Sequence, residues 1–135
     1  MWEKYSGKHI LITGGSGFLG TALVHRIITK APTVGRIYII CRNGRLSLEE
    51  KWKQWLHNED AEKLCKATNI TVLDDDIVEM DMYTTLSTLQ PQINVIIHAA
   101  SSINLARPLG KIKDIIIGAS EKLAGFALEC VCPGM

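Results

Sequence analysis

The stretch His9-Ile10-Leu11-Ile12-Thr13-Gly14-Gly15-Ser16-Gly17-Phe18-Leu19-Gly20 limits what this chain can fold into more than any other part of it. An apolar run enters a glycine-rich turn, and the turn leads into an amphipathic segment from Thr21 to Thr29. Each spaced glycine has a physical role. Gly14 lets the backbone turn sharply off a strand, and Gly17 removes a Cβ so that backbone amides can approach phosphate oxygens. Gly20 lets the following helix pack close to the sheet. The helix N-terminus then presents unspent N–H groups and a partial positive charge to an anion. The spacing T-G-x-x-G-x-x-G is a weak signal alone. Set between His9-Ile10-Leu11-Ile12 and Ala22-Leu23-Val24-His25-Arg26-Ile27-Ile28, it reads as a turn that binds the pyrophosphate of a dinucleotide. The candidate contacts are Thr13, Gly14, Gly15, Ser16, Gly17, Phe18, Leu19 and Gly20.

The rest of the chain alternates strand and helix patterns. Strands are predicted at Lys8 to Thr13, Arg36 to Cys41, Asn69 to Leu73 and Asn94 to His98. The second is a near-continuous apolar run, as in a buried parallel strand. Helices are predicted at Phe18 to Lys30, from Ser47 onward, at Glu59 to Lys66, at Met82 to Leu89, and between Leu109 and Cys130. Ser47 and Glu50 have the spacing of a capping box. Leu48, Trp52, Trp55 and Leu56 fall on one face of that helix, and two tryptophans at helical spacing read as core rather than as a membrane contact. The alternation implies an α/β fold: a Rossmann-type doubly wound parallel sheet, incomplete, with about four strands and flanking helices.

With 135 residues, 47% of them hydrophobic, the chain is one domain by size and can bury a real core. Its net charge of +1 gives no electrostatic reason to expect a nucleic-acid partner. Apolar runs such as Val95-Ile96-Ile97 are far too short to cross a bilayer, and Met1-Trp2-Glu3-Lys4-Tyr5 lacks the apolar core of a secretion signal. Cys41, Cys65, Cys130 and Cys132 form no C-x-x-C pair, so free cytosolic thiols and no zinc site are expected.

Three loops lie where strands end, which is where ligands bind in such sheets. After the second strand come Cys41-Arg42-Asn43-Gly44-Arg45, without an acid to accept ribose hydroxyls. Arg42 offers a planar fork of donors to a 2′-phosphate, with Arg45 as a second charge, which favours NADPH as cofactor. After the third come Asp74-Asp75-Asp76-Ile77. Adjacent carboxylates cannot all converge on one ion, so no metal is expected there; an Asp accepting from the adenine amino group fits better. After the fourth come His98-Ala99-Ala100-Ser101-Ser102, whose small residues let a dinucleotide pass close to the backbone. His98 reads as a structural or substrate-edge histidine, because no acid partner is in view.

Taken in order, Tyr5-Ser6-Gly7-Lys8, the glycine turn, Ile37-Tyr38-Ile39-Ile40-Cys41-Arg42, Asp76-Ile77 and Val95-Ile96-Ile97-His98-Ala99-Ala100-Ser101 resemble the extended short-chain dehydrogenase/reductases. Within these they resemble the fatty acyl-CoA reductases of the male-sterility type, over about Tyr5 to Glu129. The resemblance implies NADPH held by the turn, Arg42, Arg45, Asp76, Ile77, Ala99, Ala100 and Ser101. It also implies a fatty acyl-CoA partner, bound through regions beyond this sequence, and reduction of its thioester to an aldehyde or alcohol. Other extended reductases, acting on carrier-bound thioesters, sugar nucleotides or steroids, share the motifs, and a non-catalytic nucleotide-binding remnant is the remaining alternative. The resemblance further implies an intracellular protein at a cytoplasmic face, with attachment to peroxisomal or endoplasmic-reticulum membranes through other regions of a full-length member.

The departures from the pattern are specific. The tyrosines are Tyr5, Tyr38 and Tyr83, and none has a lysine four residues on, so the Tyr-x-x-x-Lys pair of such enzymes is missing and no catalytic residue is assigned. Where the family opens its last helix with N-V-x-G-T, this chain reads Ile115-Ile116-Ile117-Gly118-Ala119, and Asp75 stands where the family has glycine. The expectation is an N-terminal part of a Rossmann domain, lacking its catalytic half and prone to aggregate when expressed alone.

Overall fold

The computed structural model describes residues 2–75, 92–99 and 117–129. A short 3-10 turn, Trp2–Tyr5, precedes strand β1 (His9–Thr13) and helix α1 (Phe18–Lys30). Strand β2 (Arg36–Ile40) leads to α2 (Gly44–Trp55) and α3 (Asn58–Lys66). Strands β3 (Ile70–Leu73) and β4 (Val95–His98) and helix α4 (Ala119–Glu129) follow. The helix expected at Met82 to Leu89 lies outside the described residues.

The strands form one parallel four-stranded sheet in the order β3-β2-β1-β4. Alternation within each strand sends side chains to opposite faces, and both faces are covered. Ile10, Ile12, Ile37, Ile39 and Ile70 pack on one face against Val24 and Ile27 of α1, Leu48 and Trp52 of α2 and Leu64 of α3. Leu11, Tyr38 and Ile40 pack on the other with Ile93 and with Leu123 and Phe126 of α4. Helices on both faces of a parallel sheet make the doubly wound Rossmann arrangement, as expected. Each side chain fully buried here contributes roughly 1.5–3 kcal/mol, so the two isoleucine-rich central strands anchor the fold.

The order also sets where a ligand fits. The chain winds from β1 toward β2 and β3 on one side, then returns to place β4 on the other. The crevice beyond the carboxyl ends of β1 and β4 is therefore the topological switch point.

Helix α2 departs from expectation. It starts at Gly44, not at Ser47, so Ser47 lies inside the helix and caps nothing. The start is set by backbone chirality: Asn43 and Gly44 both have positive φ, 67° and 75°, and turn the chain off β2. The helix then extends from Asp74, close beside Gly44, to the glycine-rich turn, where Trp55 meets Ser16. The two tryptophans separate accordingly. Trp52 is fully buried, whereas Trp55 is 48% exposed and belongs to the turn, not to the core.

Candidate functional site

In the glycine-rich turn every backbone carbonyl from Gly14 to Gly17 accepts a hydrogen bond. Gly14 has φ +76°, which lets the chain leave β1 sharply, and its carbonyl accepts from Gly17 N–H at 3.1 Å. The Gly15 carbonyl accepts from the buried Thr21 hydroxyl at 3.2 Å. The Ser16 carbonyl accepts from Trp55 Nε1–H at 3.1 Å, and the Gly17 carbonyl from Thr21 N–H at 2.9 Å. With the carbonyls tied back, the first-turn amides of α1 point to the mouth. No side chain caps the helix at Gly17, no acid sits in its first turn, and Gly17, Phe18 and Leu19 are exposed. These are the conditions under which a helix N-terminus attracts a phosphate.

The glycines differ in what requires them. A Cβ on Gly15 would meet Ile39 Cγ2 at 2.6 Å, so β2 itself forbids a side chain there. A Cβ on Gly20 would collide with the Gly14 carbonyl oxygen and lie 2.6 Å from its carbon. Gly20 was expected to bring the helix close to the sheet; its closest approach is to the turn's own backbone instead. Gly17 is under neither constraint. Its φ is −83°, and a Cβ would come no nearer than 3.6 Å to the Gly14 oxygen. The fold does not need a glycine at position 17, whereas an anion seated against its neighbours' amides does. The residues present therefore fit a diphosphate.

The end of β2 supplies the next part. Arg42 is exposed there, one residue beyond the buried Cys41. Burial pushes the Cys41 thiol up from its ordinary value, against a hydrogen bond with Ser16, so it remains protonated at neutral pH. Arg45, expected as a second charge for the cofactor, has another employment. Its Nε donates to Glu49 at 3.0 Å, one terminal nitrogen to the Ile70 carbonyl at 3.2 Å and the other to the Cys65 carbonyl at 3.1 Å. Its guanidinium also lies over the Trp52 ring, 5.8 Å from the centroid. Arg45 ties α2 to α3 and to the start of β3. Each of its three nitrogens thus makes one hydrogen bond within the protein.

At the switch point, the parallel register places Thr13 beside His98. Thr13 Oγ1 and His98 Nδ1 are 2.6 Å apart, and Ala99 N–H extends the ladder to the Thr13 carbonyl at 3.1 Å. The partner of His98 is a hydroxyl 85 residues away, which nothing local in the sequence signals. Asp76, Ile77, Ala100 and Ser101, the other expected cofactor contacts, lie outside the described residues.

His98 is exposed at the end of β4, but partial desolvation of its ring lowers it below the ordinary imidazole value of 6.5, which favours the neutral form at pH 7. The folded chain holds this proton less tightly than the unfolded chain. Stability therefore rises with pH in the window that starts below the folded pKa and ends near 6.5, and acidification through that window removes it. We expect an NMR titration of the imidazole to give a midpoint under 6.5, and His98→Gln to flatten this part of the stability profile. A midpoint at or above that value would contradict the assignment.

Comparison with known proteins agrees with this geometry. A Drosophila melanogaster protein named as a fatty acyl-CoA reductase is 30% identical over 79% of this chain and 21% of its own length. Fatty acyl-CoA reductase 2 of Mus musculus is 27% identical over 93% of this chain and 26% of its own length. The chain thus spans about a quarter or less of the length of these curated relatives. Among solved structures, the reductase domain of a non-ribosomal peptide synthetase from Mycobacterium tuberculosis superposes with a TM-score of 0.73 at 21% identity, covering 93% of this chain and 31% of that one. The terminal reductase domain of the myxalamid pathway gives 0.73 at 18% identity, covering 95% of this chain and 33% of that one. At such identities these two show the Rossmann fold alone. The model of an NAD-binding family, described as male sterility protein, matches residues 12–133, and the chain, with its four-stranded parallel sheet and its glycine-rich turn, belongs to that family.

Proposed function

We propose that this chain is the NADPH-binding N-terminal part of a fatty acyl-CoA reductase, which reduces a fatty acyl thioester to a fatty aldehyde or alcohol. The observation that carries the reading is Gly17: exposed, uncapped, and free of any packing need for glycine, it opens the amide mouth to a diphosphate. The names of the sequence relatives supply the substrate class. In this reading the amides of the turn hold the diphosphate, while Thr13 and Ala99 line the switch-point crevice. Asp76 and Ile77 are the proposed contacts of the adenine edge, and Ala100 and Ser101 are the remaining proposed cofactor contacts. Bound NADPH supplies the hydride that reduces the thioester carbonyl. The Tyr-x-x-x-Lys pair of related enzymes has no counterpart among these residues, so this chain's share of the work is to hold and orient the cofactor.

Arg42 reads the 2′-phosphate that separates NADPH from NADH. Its position just past β2, with no acid between Cys41 and Arg45, supports this role. Parallel calorimetric titrations with NADPH and NADH test it. Wild type is expected to prefer NADPH, and Arg42→Ala to weaken NADPH by roughly ten- to a hundredfold, the value of a charge-assisted bond, with NADH unchanged. A folded wild-type chain that binds neither dinucleotide, or an Arg42→Ala chain that keeps its preference, would overturn the reading.

A further inference from the structure

We infer that Trp55 is a positioning residue for the diphosphate site: its indole N–H holds the Ser16 carbonyl out of the anion mouth. This rests on the cofactor reading above. The carbonyls of Gly14, Gly15 and Gly17 are satisfied by donors from the turn itself or from Thr21 at the start of α1. Only the Ser16 carbonyl is met from a distant element, by Trp55, which lies 39 residues away at the end of α2. A carbonyl oxygen turned toward the mouth would set a negative dipole end against a phosphate. Tied to Trp55, it points away instead.

The Ser16 carbonyl and the Gly17 N–H also belong to one rigid peptide plane. Trp55 grips one side of that plane at 3.1 Å, and the Gly14 carbonyl grips the other at 3.1 Å. The indole is itself oriented, because the Phe18 ring meets it edge-on at 5.7 Å between centroids. Phe18 is the first residue of α1, so the aromatic pair links α2 directly to the helix start that faces the ligand. Core packing does not account for Trp55. It is 48% exposed, while Trp52 on the same helix is fully buried.

The test is a heteronuclear NMR titration of the whole chain, wild type and Trp55→Phe, with NADPH, inorganic pyrophosphate and adenosine 2′-phosphate. Phenylalanine keeps an aromatic ring beside Phe18 while removing the N–H donor and the second ring of the indole. We expect Trp55→Phe to bind NADPH and pyrophosphate roughly three- to tenfold more weakly, as for one lost hydrogen bond. Adenosine 2′-phosphate, which has no diphosphate, should bind as before, and the Gly17 amide resonance should move while those of Ile10 to Ile12 stay in place. Equal weakening of every probe would mean general damage to the fold, and undiminished pyrophosphate binding would mean no positioning role; either overturns the inference. A wild-type chain that binds pyrophosphate through Trp55 but not NADPH would sink the cofactor reading and leave this one standing.

Discussion

Gly17→Val is expected to abolish dinucleotide binding while the chain stays folded. The backbone at Gly17 is extended, with φ −83° and ψ 177°, a conformation that β-branched residues favour. The nearest atom to the new Cβ would be the Gly14 oxygen at 3.6 Å, an ordinary contact. Against the fold stands only the poorer standing of valine at a helix N-cap, about 1 kcal/mol, part of which is offset by the reduced freedom of the unfolded chain. Against binding stands a branched side chain at an exposed position, where amides must come within hydrogen-bond distance of phosphate oxygens. Losing two charge-assisted bonds weakens affinity by at least about a hundredfold. Urea denaturation with calorimetric titration separates the two effects. Retained binding would show that the mouth lies elsewhere, and an unfolded variant would show that Gly17 serves the fold after all.

Gly20→Ala is expected to do the reverse and break the fold. Helix propensity alone favours the change, because alanine is better than glycine inside a helix by about 0.8–1 kcal/mol. The structure inverts the sign. The added Cβ would run into the Gly14 carbonyl oxygen and lie 2.6 Å from its carbon and 2.8 Å from Gly15 Cα. These are backbone atoms and cannot rotate away. The Gly14 oxygen is already the acceptor of Gly17 N–H, and Gly15 is wedged against Ile39, so yielding would undo the turn. Overpacking of this kind costs about 3 kcal/mol, a large share of the stability of a small domain. A loss of that size, read as a drop in denaturation midpoint, checks the argument; a more stable Gly20→Ala chain would refute it.

These two glycines show how far the sequence could be read. Their spacing between an apolar strand and an amphipathic helix identified the turn, but both positions then had the same apparent purpose, room for close approach. What surrounds each is a tertiary fact: open space at Gly17, the turn's own carbonyl at Gly20. Arg45, read from the sequence as a second charge beside Arg42, is a similar case. Both follow β2, and only the placing of Cys65 and Ile70 shows that the Arg45 guanidinium is engaged. The Asn43-Gly44 pair is a turn signal visible in the sequence, and its positive φ angles outweighed the capping-box spacing at Ser47.

The sequence by itself determined the order of the described elements, the parallel doubly wound sheet and the glycine-rich turn between β1 and α1. Local patterns are enough for these, because apolar runs, helical periodicity and spaced glycines act through neighbouring residues. Tertiary structure alone decided that Trp55 serves the turn while Trp52 serves the core, and that Thr13 holds His98. Each of those contacts joins residues distant in the chain, at 39 and 85 positions. The physical reason is that strand register and the path of α2 across the sheet set which side chains meet, and neither is written in any one segment.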